Sequence, residues 1–469
     1  MILDQYEQRI NDLERELQTQ KEHKESVINK GNQNNGQSIS YYFDSVASFS
    51  SRHSLHGFAT VGVSTTDADV EYVVDTTDTL DADNPDFRSD TMIGLQYDFT
   101  VNDATAIYFQ FKAEGAQDFE PAVEWLYLSH DINDSLMLRA GRLRLPAFLM
   151  SEYVEVGYSY PWVRPPVEVY STLPFSNYDG FSLWHQIPAF KGVLQTQFYY
   201  GTVDFETSFD HSHITIQQAY GMTLEWSKTD LTIQASYSTG KLNTDDDEVA
   251  ALNNAMTGFG LEPFLADEAQ GRFGSVGFIY DDGIWFVSGE AIAIDVDDSV
   301  FADQRANTLT VGRRFGDWLP YASYGRHYTT DEKKNHDAQM VLSDISNQLS
   351  AGISTINAGL SPLDAYIATL DPTDPADIVQ YLAAVNQQED ALMSLSNDRD
   401  NIGAVLDRVQ GQIFEQRSYS IGLRYELAAS YAVKLEYSYL TDFDGTRGRF
   451  RELPGDSAEV YTFVIDTVF

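Results

Sequence analysis

The chain contains no cysteine, which excludes disulfide staples, thiolate metal sites and thiol nucleophiles. Its 469 residues hold no apolar run of about 18 or more, so no transmembrane helix is expected. Cations are scarce. Lys and Arg total 30 against 71 Asp and Glu, a formal net charge of -41, which argues against a protein that neutralises nucleic-acid phosphates. An apolar leader is also missing: Met1 leads straight into Asp4-Gln5-Tyr6-Glu7. A cytoplasmic protein begins this way, and so does an exported one whose leader has been removed. No Gly-x-Ser-x-Gly elbow occurs, and Gly157-Tyr158-Ser159-Tyr160-Pro161 is not one. His211-Ser212-His213 has no neighbouring Glu pattern, and Asp295-Val296-Asp297-Asp298 lacks the Gly and distal Glu of a calcium loop. No enzyme, metal or cofactor is therefore expected. Aromatics, by contrast, are plentiful, with 28 Tyr and 27 Phe, too many for a disordered acidic chain.

Apolar residues first recur at heptad spacing. Leu3, Tyr6, Ile10, Leu13 and Leu17 form an a/d seam, which predicts a coiled-coil helix over 1–28. A polar tether, 29–54, separates it from the rest.

From residue 55 the period changes to two. Ile93, Leu95, Tyr97 and Phe99 alternate with polar or small residues, as do Ile107, Phe109 and Phe111. The same pattern carries Tyr220, Met222, Leu224 and Trp226; Leu231, Ile233 and Tyr237; Tyr419, Ile421 and Tyr425; Val433, Leu435 and Tyr437; and Tyr461, Phe463 and Ile465. Each segment reads as a strand with one apolar and one polar face. Sixteen strands are expected near 55–63, 89–99, 105–113, 122–130, 136–144, 178–187, 191–201, 215–227, 231–240, 271–280, 284–295, 305–315, 319–328, 415–427, 431–441 and 458–469. Short turns and long loops alternate strictly between them. A soluble sandwich has no reason to sort loop length by end, whereas an antiparallel transmembrane barrel does. The expected fold is all-β: a 16-stranded antiparallel transmembrane β-barrel over 55–469, with the N-terminal coiled-coil segment and a helical extracellular insertion at 329–414. The insertion carries apolar stripes at Val341, Ile345, Leu349 and Ile353, and at Ile402, Val405, Val409 and Ile413, with a break at Asp371-Pro372-Thr373-Asp374-Pro375.

The last strand, Tyr461 to Phe469, ends in an aromatic residue. It resembles the C-terminal assembly signal of Gram-negative trimeric porins, with Phe469 as its terminal group. The strand count and the extended third loop match that family too. The N-terminal helix makes the chain similar to the branch with a periplasmic coiled coil, the DcaP-like and phosphate-porin-like channels. The resemblance implies a homotrimer in the Gram-negative outer membrane, with lipid bilayer and lipopolysaccharide as partners and the N-terminus in the periplasm. It further implies passive diffusion of small hydrophilic solutes, with a preference for small anions such as dicarboxylates. The long 329–414 insertion departs from the family.

Sixteen strands leave an aqueous lumen, whose selectivity is set by charges at its narrowest point. Loop 145–177 is the candidate constriction, because Pro161, Trp162, Pro165 and Pro166 make it stiff and aromatic. Arg139, Arg142, Arg144 and Arg164, with Lys112, Arg424 and Lys434 at inward parity, compose a candidate basic ladder for anions. Glu124, Glu225 and Glu436 also carry inward parity, so plain charge balance is the competing account. The acidic stretches 64–88 and 245–248 read mainly as solvated surface. The alternative function is a receptor or adhesin that binds partners through its acidic loops and insertion on a plugged barrel.

Overall fold

The computed structural model describes residues 52–469, apart from 74–78, 81, 83, 207–212, 245–246, 259–262, 264, 298, 300–302, 331–332, 368–389, 391, 398, 401, 404–405 and 407–412. The coiled-coil expectation for 1–28, nearly all of the tether, and the break at 371–375 lie outside the described residues.

Sixteen antiparallel strands close into one barrel. They are β1 (His53–Thr66), β2 (Met92–Asn102), β3 (Thr105–Glu114), β4 (Ala122–Asn133), β5 (Leu136–Arg144), β6 (Asn177–Ala189), β7 (Gly192–Glu206), β8 (His213–Lys228), β9 (Leu231–Thr244), β10 (Ala269–Asp281), β11 (Trp285–Val296), β12 (Asp303–Arg313), β13 (Trp318–Thr330), β14 (Glu415–Ala428), β15 (Tyr431–Thr441) and β16 (Ser457–Val468). Each pairs with its sequence neighbours, and β16 returns to β1. At that seam Gly57 and Phe469 exchange both backbone hydrogen bonds, at 2.7 and 2.9 Å. The Phe469 ring lies on Gly57, where a side chain would collide with it. Closure leaves no open edge, as hydrocarbon surroundings require of a spanning sheet.

Register fixes which face each residue takes. Ile93, Tyr97, Tyr220, Leu224, Ile233, Tyr237, Tyr419, Ile421, Leu435, Tyr461, Phe463 and Ile465 all point outward and are exposed. An apolar outer band of this kind belongs in lipid, and the molecule is a transmembrane β-barrel.

The inner face departs from simple polarity. Leu143, Tyr178, Tyr199, Val203, Phe273 and Ile292 are buried together with Leu145, Ala147 and Val169 of the third loop. A second cluster joins wall residues Phe286, Leu319 and Tyr321 to Met150, Tyr160 and Trp162. These inward apolar side chains dock the loop, so part of the lumen is packed like a protein interior.

Outside the barrel wall, α1 (Val167–Tyr170) lies in the third loop, α2 (Asp247–Gly258) follows β9, and α3 (Lys333–Ile367) follows β13. Along α3, Val341, Ile345, Leu349 and Ile353 are half-buried. Leu342, one position away, is the fully buried residue, packed with Val249, Met256, Ile402 and Leu406.

Candidate functional site

Residues 145–176 leave β5 and turn into the barrel. Their first stretch runs along the wall of β8 to β11. Thr223 donates to the Pro146 carbonyl at 2.9 Å, Ser236 and Ser275 to that of Ala147 at 2.6 and 2.8 Å, and Gln234 to that of Phe148 at 3.2 Å. On β11, Glu290 accepts from the Leu149 amide at 2.8 Å and from the Tyr170 hydroxyl at 2.7 Å.

The chain then crosses to β3. Glu155 meets Lys112 at 2.9 Å and Arg144 at 3.1 Å. Lys112 also lies 3.0 Å from Glu114 and 3.6 Å from Glu124, and Arg144 is 3.2 Å from Glu124. Two cations thus serve three carboxylates. Burial pushes the Glu155 carboxyl up, but Lys112 and Arg144 outweigh burial and hold it at about 2. In a ring of sixteen, β3 and β11 are diametrically opposite. One segment touching both must span the lumen.

A third sector is fastened by charge. Lys434 of β15 donates to the Gly157 and Trp162 carbonyls at 2.6 and 2.7 Å and pairs with Asp466 of β16 at 2.9 Å. Arg424 of β14 donates to the Tyr158 and Tyr160 carbonyls, both at 2.6 Å, and pairs with Glu426 at 2.7 Å. Residue 157 must be glycine for so close an approach, since a Cβ there would collide with the Asp466 carboxylate. Trp162 donates its indole N–H to Thr310 at 2.9 Å and to Ser323 at 3.2 Å. Beyond it, the Arg164 fork grips Asp90 at 2.9 and 2.6 Å and reaches Ser64 at 2.9 Å.

Of the expected basic ladder, the structure brings Lys112 and Arg144 together, Arg424 and Lys434 together, and Arg164 to a separate wall. Arg139 is 3.7 Å from Glu152 of the loop and stacks 4.0 Å from the Trp184 ring. Arg142 does not join them. It pairs in register with Leu126 and Asp179, and Leu126 is 49% exposed on the outer band. Arg142 therefore faces outward, 3.2 Å from Asp179. The expectation that Arg142 and Arg144 share a face fails because Arg144 ends its strand, where its side chain turns inward, while Arg142 keeps the outward parity of the strand. Pro161 and Trp162 are buried, while Pro165 and Pro166 are half-buried and border a cavity.

Sequence reasoning did not single out Glu155, Glu168, Glu290, Asp90 or Asp466. Asp466 carried a signal, being a carboxylate at inward parity in the last strand. The loop carboxylates carried none, because parity does not apply to them.

Between the loop and the wall of β12 to β16 lies a partly open pocket, about 520 Å³ with its open mouth included, lined by hydroxyls, by Arg164 and by Glu168 and Glu436. Among the described residues no group of three or more His, Cys, Asp or Glu has metal-holding geometry.

No family model and no curated protein matches the sequence. Solved structures similar to this chain include OmpF of Salmonella typhi in complex with daunomycin, at 12% identity over 89% of this chain and 97% of that one, with a TM-score of 0.49. An anion-selective porin from Comamonas acidovorans is similar at 10% identity over 89% and 99%, with a TM-score of 0.48. The outer membrane channel DcaP of Acinetobacter baumannii is similar at 10% identity over 89% and 97%, with a TM-score of 0.48.

Proposed function

We propose that this chain is an outer-membrane channel for passive diffusion of small hydrophilic solutes, with residues 145–177 as its constriction. The observation that carries the proposal is the transverse loop, in contact with β3 and β11 at opposite sides of the lumen. A chain segment there reduces the free cross-section and limits solutes by size. Its cations are matched by carboxylates or carbonyls, so in this reading they hold the loop first and act on passing anions second. We place the short turns and the N-terminus on the periplasmic side, and the long connections, with α3, outside the cell. We further propose a homotrimer with the outward Arg142–Asp179 pair at the subunit contact, because charges are costly against lipid.

Planar-bilayer recording of the full chain tests the channel. The wild type should give a steady open current, and deletion of residues 152–163 should raise the unit conductance several-fold. Arg142→Ala alone should leave ion preference unchanged and weaken subunit association, read as a lower mass in detergent. A wild type without steady current, beside a conducting deletion variant, would overturn the channel and favour the plugged, receptor-type barrel.

A further inference from the structure

The cavity beside α1 has a charge balance that the channel reading does not use. Arg164 borders it, but its Nε and Nη2 groups donate to the Asp90 carboxylate, so its charge is paired. Glu168 is different. Its side chain is only 3% exposed, and among the described residues its Oε1 has no hydrogen-bond partner. Its Oε2 rests against Gly325 of β13, 2.5 Å from where a Cβ would stand. Across the cavity, Glu436 accepts from the Tyr321 hydroxyl at 2.6 Å and from Ser438 at 3.4 Å, and Arg164 acts on it only from beyond ion-pair distance. A buried carboxylate without a partner is expensive. Here it borders a partly open pocket rather than only packed side chains, and that pocket calls for a positive guest.

The walls say which kind. Ser418, Ser420 and Ser438 supply hydroxyl oxygens, and Tyr72 and Trp162 supply aromatic surface. Aromatic faces attract ammonium groups. We propose that this cavity binds a small organic ammonium ion, with Glu168 as its counter-charge and the serine hydroxyls accepting its N–H groups. The guest lies beside the loop, so it stiffens the loop when bound. This inference does not require that current flow.

Ethanolammonium is the probe, titrated into the full chain folded in detergent and followed by calorimetry and tryptophan fluorescence. Saturable binding is expected in the wild type, undisturbed by equimolar potassium and absent with acetate at the same ionic strength. Glu168→Gln should weaken it at least tenfold. Gly325→Ala keeps the charge but puts a methyl group where Oε2 sits, and it should also weaken binding. Should Glu168→Gln not fold, as judged by heat-modifiable gel mobility, the wild-type series and Gly325→Ala decide. No saturation with ethanolammonium, equal displacement by potassium, binding of acetate, or undiminished affinity in a folded variant would each overturn the proposal. A chain that binds ethanolammonium but conducts nothing would keep this site and lose the channel.

Discussion

The two sides of the transverse loop are held by different chemistry. Toward β8 to β10, neutral Thr, Ser and Gln side chains donate to the carbonyls of Pro146, Ala147 and Phe148. Toward β14 and β15, Lys434 and Arg424 donate to the carbonyls of Gly157, Tyr158, Tyr160 and Trp162, backed by Asp466 and Glu426. The acceptors are the same backbone groups on both sides, so only the donors differ. A neutral hydrogen bond contributes about 1 kcal/mol net, and a charged one about 1.5–3 kcal/mol. Neutral donors also ignore pH and salt, whereas charged ones create a debt if a partner is removed. The charged side is accordingly the stronger attachment and the more fragile one.

The contrast can be broken most sharply at Lys434, which is fully buried. Lys434→Met strands Asp466 and should destabilise the folded barrel by about 3–5 kcal/mol, read as a lower denaturation midpoint in detergent. Adding Asp466→Asn should return part of that loss, because the unpaired charge is then gone. If the single variant were as stable as wild type, the charged side would not be an attachment.

Acid provides the next test. Glu155 is held at about 2 by Lys112 and Arg144 against the effect of burial, below an unfolded value of about 4.3. A depressed carboxyl contributes stability that is full above its unfolded value and is lost as pH falls through its folded one. The Glu155 contribution to thermal stability should thus be constant from neutral pH to about 5 and should fall by on the order of 2–3 kcal/mol between about 4 and 2. Glu155→Gln should flatten that slope. On the neutral side the effects are smallest. Ser236→Ala and Ser275→Ala share one acceptor, the Ala147 carbonyl. Each should cost about 1 kcal/mol or less, with no change in the acid profile.

The difference between the walls also explains what was legible in the sequence. Strands whose outer face is apolar and inner face polar, such as Tyr220–Trp226 or Val433–Tyr439, announced both themselves and their orientation. Strand count, order and the sorting of loops followed from them. Strands with apolar residues on both faces, such as β11 with Phe286 and Ile292 inward, gave a weaker period. They carry apolar contacts to the loop, whereas β8 and β15, with clear alternation, hold it through the polar side chains of Thr223 and Lys434. Lys112, Arg139, Arg424 and Lys434 were readable as inward by parity; Arg142 has the opposite parity to Arg139, and Arg144 turns inward only where its strand ends. Two of their partners, Glu155 and Asp90, were not readable, since they sit in loops whose path is set by tertiary packing.

The most direct test of the transverse loop uses the absence of cysteine. Ala147→Cys with Ser275→Cys reports the neutral side, and Tyr158→Cys with Ala429→Cys the charged side, where the Tyr158 hydroxyl donates to the Ala429 carbonyl at 3.0 Å. Both pairs are placed in one folded chain and treated with a short bis-maleimide. The account predicts that both cross-links form in the same molecule. A folded barrel in which either pair fails to link would contradict it.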